Sequence, residues 1–175
     1  MKKCAILLMV ISLFYIFISN SMAKSLTIPN DALRIRIIPN SNSDYDQFIK
    51  RKVRDNLEIT MYDLLKNAKS SEEARQIILD NLYLIDKDVE NILNGEKYDL
   101  GYKVNYGYNY FPMKEYKGVK YEEGYYESLI VTLGRGEGDN WWCVLFPPLC
   151  LIEASENDDI EYKSIVSEIL EKYLS

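Results

Sequence analysis

The sequence predicts an α+β fold: a mostly antiparallel four-stranded sheet with helices packed on one face, in the order β-α-α-β-β-β-α. Three observations predict it. Apolar residues recur at helical spacing over residues 44–94. From residue 98 the spacing changes to alternation, with frequent glycine and tyrosine. Helical spacing returns only over residues 162–173. Helices and strands thus come in separate runs, which favours helices gathered on one side of an antiparallel sheet.

The elements follow in order. Residues 24–32 form a polar lead containing Pro29, read as a loose entry to the fold. Leu33, Ile35 and Ile37 alternate with Arg34 and Arg36, the pattern of a half-buried strand. Pro39-Asn40-Ser41-Asn42-Ser43 ends that strand, and Ser43 or Asp44 can cap a helix. Phe48, Val53, Leu57, Met61 and Leu64 then mark an amphipathic helix over residues 44–67. Ser70 stands three positions before Glu73, the spacing of a capping box. The helix it starts carries Ala74, Ile78, Leu82, Ile85 and Val89 and stops at Asn94-Gly95. The short link makes the two helices an antiparallel pair.

Val104, Tyr106, Tyr108 and Tyr110 alternate with Lys103, Asn105, Gly107 and Asn109, which predicts a strand with a bulge at Gly107. Lys117-Gly118 marks a turn, and residues 125–133 a second strand. Gly134-Arg135-Gly136-Glu137-Gly138 is read as a flexible link rather than a phosphate loop. It lacks the Gly-Lys-Ser/Thr ending, and a strand follows it. Residues 141–146 are the last strand, and an acidic loop at 153–159 leads to the final helix. That loop lacks the ligand spacing of a calcium site. Whether the first strand lies at the edge or in the middle of the sheet is not set by periodicity.

Before all these elements lies Met1-Lys2-Lys3, an apolar run at residues 4–18, and the small-x-small pattern Ser21-x-Ala23. This reads as a signal peptide over residues 1–23, followed by a single domain over 24–175. Its removal takes two lysines and no acids, so the net charge of −6 becomes −8. That balance argues against nucleic acid and against an anionic membrane surface as partners, and leaves membrane contact to the export segment alone. The chain has no histidine. Ser-His-Asp and Cys-His catalysis and histidine-ligated zinc are therefore excluded, and no metal or cofactor is expected.

The segment Asn140-Trp141-Trp142-Cys143-Val144-Leu145-Phe146-Pro147-Pro148-Leu149-Cys150 holds both tryptophans and does not alternate. Such a strand is either buried on both faces or partly exposed for a partner. Adjacent strand residues point to opposite faces, so Trp141 and Trp142 cannot share one core. Cys143 and Cys150 are read either as a disulfide closed by the Pro147-Pro148 turn, for which a cis peptide is open, or as two buried thiols. Nine of the fifteen tyrosines lie between residues 98 and 126. They are either half-buried strand residues or a contact surface. The candidate partner-binding residues are Asn140, Trp141, Trp142, Phe146, Pro147 and Pro148, with Tyr106, Tyr108 and Tyr110 of the tyrosine belt.

The 140–150 segment resembles the hallmark of the stage II sporulation protein R family. Three further segments carry the same resemblance in order. They are Leu33-Arg34-Ile35-Arg36-Ile37-Ile38-Pro39-Asn40-Ser41-Asn42-Ser43-Asp44 with Lys52-Val53-Arg54-Asp55, Tyr106-Gly107-Tyr108-Asn109-Tyr110-Phe111-Pro112, and Gly124-Tyr125-Tyr126-Glu127-Ser128-Leu129. The resemblance implies a non-enzymatic signal made in the forespore and exported into the intermembrane space. Its implied partner is a membrane-embedded aspartic protease, which it activates to cleave the pro-sequence of a mother-cell sigma factor. Two other classes stand beside this expectation: an extracellular carbohydrate- or peptidoglycan-binding module, and a carboxylate-based hydrolase of cell-wall sugars, which needs two acids in a cleft.

Overall fold

The computed structural model describes residues 26–116, 119–150 and 159–174. The export segment, the turn at Lys117-Gly118 and the acidic stretch 153–158 lie outside the described residues. The elements are β1 (Leu26–Thr27), β2 (Leu33–Ile38), α1 (Asp44–Leu65), α2 (Ser71–Asp80), α3 (Leu82–Gly95), β3 (Tyr102–Phe111), β4 (Lys114–Tyr116), β5 (Val119–Tyr121), β6 (Gly124–Leu133), β7 (Trp141–Phe146) and α4 (Asp159–Leu174).

The main sheet has four strands in the order β3-β6-β2-β7. It is mixed, not mostly antiparallel without exception: β3 and β7 run antiparallel to their neighbours, and β2 runs parallel to β6. The first strand of this sheet therefore sits in its middle. Leu33, Ile35 and Ile37 are buried toward the helices, while Arg34 and Arg36 also find cover on the opposite face. Cover on both faces suits this interior place without dictating it, since the outer strand β7 is covered on both faces too.

Helices α1, α2 and α3 supply one layer. Ile49, Val53 and Leu57 of α1, Ile78 of α2 and Ile85 and Val89 of α3 join Ile35, Ile37, Leu129 and Val131 in the large core. The Ser43 hydroxyl accepts from the Asp46 amide at 3.2 Å and starts α1. The Ser70–Glu73 cap forms in a shifted version: Ser70 Oγ accepts from the Glu73 amide, and the Glu73 carboxylate accepts from the Lys69 N–H, one residue before the cap. The predicted single helix over 71–94 is broken at Asn81. Its side-chain amide donates to Ile77 O at 2.8 Å, and its backbone leaves helical geometry at φ −109°, ψ 11°. An asparagine amide competes in this way with the helix ladder.

The opposite face is covered as well, which corrects the one-sided expectation. A small sheet of order β1-β5-β4 lies there. Ile28, Ala32 and Val119 pack with Val144, Leu149 and, from α4, Val166 and Leu170 in a second cluster. Residues 26–32 of the expected loose entry thus belong to the fold: β1 pairs parallel with β5, and Ile28 and Ala32 are buried. Tyr173 of α4 reaches the large core, edge-on to Phe146 at 5.1 Å. The bulge expected at Gly107 is absent, because β3 and β6 pair without interruption from Tyr102 to Phe111. The irregularity falls instead between Leu33 and Arg34, opposite β7.

Candidate functional site

The site is built around the outer strand β7: the sheet face turned away from α1–α3 carries its stacked rings and arginines, and α1 borders it across the strand's edge. Parity assigns its side chains. Trp141 packs with the large core on the helix side. Trp142 joins Phe111, Tyr126 and Ile130 on the other side. The register sets Trp142 beside Arg36, and Val144 beside Arg34. The two arginines therefore rise from the sheet among rings.

The result is a ladder of alternating cations and aromatic rings. The Lys114 ammonium lies 5.2 Å from the Trp142 ring, and the Arg36 guanidinium 4.8 Å from the same ring. Phe111 follows, 5.3 Å from Arg36 and 5.2 Å from Arg34. Tyr126 closes the series, its ring 3.4 Å from the Arg34 guanidinium carbon. Phe111 meets Trp142 edge-on at 5.0 Å. Guanidinium planes stack well on rings because their faces are weakly hydrated and the ring faces are negative. Burial lowers the pKa of both Arg34 and Arg36.

Beside this ladder opens a cleft of about 580 Å³. Its floor is the run Asn140–Val144 with Arg34. One wall is Arg54, Asp55 and Glu58 of α1; the other is Phe111, Pro112, Lys114, Tyr116 and Tyr121. Arg54 is engaged with its neighbour Asp55 at 2.6 Å. Burial raises the Glu58 carboxyl, and Arg54 opposes the shift. The cleft thus offers cations, aromatic faces and one carboxyl biased toward its neutral form.

The predicted partner residues separate into three places. Asn140, Trp141 and Trp142 line the cleft. Phe146 and Pro147 are buried and Pro148 is half-buried, next to the cis Phe146–Pro147 bond. The tyrosines stand on the opposite face from Trp142. Tyr106 is packed against the large core, with its hydroxyl raised by burial and by the charge of Glu127. Tyr108 and Tyr110 are exposed, at 72% and 47%, and Tyr110 meets Tyr125 edge-on at 5.7 Å. They form a patch separate from the cleft. Cys143 and Cys150 are buried thiols, and both sulfurs approach one carbonyl, Val144 O, at 3.8 and 3.0 Å.

Two groups were missed by the sequence reading. Arg34 and Arg36 looked like the wet face of a strand; the signal that could have found them is the Phe and Trp supply in the other motifs. The second is the loop at residues 39–42, which anchors the glycine-rich link. Asn40 Oδ1 accepts from Arg135 N–H, Asn40 O from Glu137 N–H and Pro39 O from Gly138 N–H. Asn42 Oδ1 accepts from Asp139 N–H at 2.6 Å. This link delivers the chain into β7, so it positions Asn140 and the tryptophans. It is a fixed bracket, not a flexible connection.

Comparison with known proteins bears on these residues. The family described as Stage II sporulation protein R matches residues 29–156. Stage II sporulation protein R of Bacillus subtilis (strain 168) is 40% identical over 140 residues, covering 79% of this chain and 62% of that protein. The chain therefore spans less than two thirds of that relative's length. No solved structure matches.

Proposed function

The chain belongs to the stage II sporulation protein R family, and from that membership we propose that it is an exported signal of endospore formation. In this reading it leaves the forespore through the segment at residues 1–23. It then binds a membrane-embedded aspartic protease from the intermembrane space and activates it to cleave the pro-sequence of a mother-cell sigma factor. It acts by binding, without chemistry of its own.

One observation carries the proposal: three of the four segments that share the family resemblance line one cleft, and the remaining one braces an arginine of that lining. The first contributes Arg34, Arg54 and Asp55, the second Phe111 and Pro112, and the last Asn140–Val144. The third contributes Tyr126, stacked on Arg34. A partly open cleft with a tryptophan in a rigid frame has the makings of an interface hot spot. Activation further requires that the ligand prefer the protease's active state.

The test is co-expression with the protease and its precursor substrate. Trp142→Ala removes an anchor from the cleft but leaves the large core on the other face intact. It is expected to stay folded by circular dichroism and to lose precursor cleavage by more than about tenfold, the scale of a hot-spot truncation. Tyr108→Ala, on the separate patch, should process normally. Normal processing by a folded Trp142→Ala protein would remove the cleft from the interface.

A second reading is favoured by Glu58, a carboxyl raised by burial beside Asp55 in the same cleft. A hydrolase using this pair would release sugar fragments from purified peptidoglycan and would stop doing so as Glu58→Gln. No release by the wild-type protein would end that reading.

A further inference from the structure

Arg34 is 3% exposed, yet it has no ion-pair partner among the described residues. Its plane is satisfied by the Tyr126 ring. Its edge is not: Nε and Nη2 are buried and meet no acceptor, and Nε of Arg36 is in the same state. Buried polar groups are almost always paired, so three orphaned donors on adjacent arginines call for an explanation. Nε–H and Nη2–H lie on one side of the guanidinium. Together they are the fork that matches the two oxygens of a carboxylate.

We propose that this cleft is a carboxylate-binding site, in which an acidic side chain of an extended polypeptide segment takes the Nε/Nη2 edge of Arg34. The inference rests on the reading that the cleft meets a partner protein; the chemistry of what enters it is new. Two features favour an extended segment. β7 is the outer strand of its sheet; the Leu149 N–H already takes its Val144 carbonyl, so the edge left for an added strand lies toward Trp141 and Trp142. The residues lining the cleft, Asn140–Val144, run along that strand. A side chain fits better than a chain end. Arg34 stands off the face of the sheet, and side chains of an added strand project the same way, whereas its backbone stays in the sheet plane. The edge of Arg34 is covered in the unbound protein, so entry requires a lining side chain to move. Lys114 is exposed and rests on the Trp142 ring. It can swing aside and add a second positive charge to the bound carboxylate.

The experiment uses the full chain, isotopically labelled, and follows the Arg34 Nε–H resonance by NMR. Three probes are titrated: a hexapeptide blocked at both ends with one central aspartate, the same peptide with asparagine, and the asparagine peptide with a free C-terminal carboxylate. The aspartate peptide is expected to shift the Arg34 signal and to bind at least about tenfold more tightly than the blocked asparagine peptide, the gain of a charge-assisted fork. Arg34→Lys should abolish that preference. Lys114→Ala, at an exposed position on the short strand β4, should reduce it severalfold and leave the main sheet folded, and keeps the test open if Arg34→Lys does not fold. Binding by the free-C-terminus peptide alone would overturn the side-chain assignment. Equal binding of both blocked peptides, or no change at Arg34, would overturn the site. Such a failure beside a Trp142-dependent loss of precursor cleavage would leave the signalling proposal standing; failure of both assays would sink both.

Discussion

Asp46 is a carboxylate buried at the start of α1, and it is held charged. Burial opposes the charge, but hydrogen bonds from Ser41 at 2.5 Å, from Asn40 at 2.9 Å and from Ser43 outweigh it, so its pKa is lowered. A lowered folded-state value means the stabilisation is present above the ordinary carboxylate pKa and is lost as pH falls through the folded one. Asp46→Asn should therefore cost about 1–3 kcal/mol at pH 7. The gap from wild type should narrow in urea unfolding below pH 4. Tyr98 behaves in the opposite sense. Its hydroxyl is buried without a partner, and its pKa is pushed up to about 12, first by burial and then by the charge of Asp46. Stability contributed by the neutral hydroxyl is complete below the unfolded value of about 10 and is lost as pH rises toward 12. Tyr98→Phe should be neutral or stabilising at pH 7 and should flatten the alkaline loss, as read by thermal unfolding from pH 9 to 12. At this scale the parity of Trp141 and Trp142 was legible, because adjacent strand residues must diverge. The orphaned edge of Arg34 was not. An arginine alternating with isoleucine looks solvated until the strands that cover it are known.

Among the elements, the 134–140 link shows how a local reading fails. Three spaced glycines suggested freedom, yet a Cβ at Gly138 would overlap the Ser41 carbonyl, and Gly134 sits at φ 56° against Asn40. The glycines are there for close approach, and only the partner loop 95 to 97 residues earlier reveals it. Gly138→Ala should destabilise by about 1–3 kcal/mol, as overpacking against backbone does. It should also disturb Trp142 fluorescence, because the link leads directly into β7. The helices were legible from apolar spacing and caps, since both signals are local. The small sheet was not. β1 has two residues and β4 and β5 three each, too short for alternation to register. β1 depends on pairing with β5 some ninety residues later, while β4 and β5 pair only with each other across a short link.

For the whole molecule, the order of strands matters more than their number. The sequence supported an α+β chain but could not choose where β2 would pair, because periodicity reports burial and not neighbours. Arg75 of α2 ties the two layers, donating from Nε to both oxygens of Glu127 on β6 at 2.7 and 2.6 Å. That ion pair joins the helix layer to the central strands. Arg75→Met should loosen the helix layer without removing the cleft, so native-state hydrogen exchange should speed up in α2 and α3 more than in β7.

The central place of β2 has a consequence for the order in which the chain takes shape. Its two neighbours are residues 124–133 and 141–146, so it waits for roughly ninety further residues to become available before either edge is paired. Until then Ile35 and Ile37 have helices for company but no sheet. Closing such distant contacts is slow compared with helix formation. A chain that emerges from a membrane N-terminus first would thus pass through while still unpaired, and would complete its sheet only after nearly all of it had arrived. In an exported chain, such late closure would keep the polypeptide threadable. Stopped-flow refolding of the chain from residue 24 onward should show early helical signal and a later, slower burial of Trp142, the two separated in time by about tenfold or more.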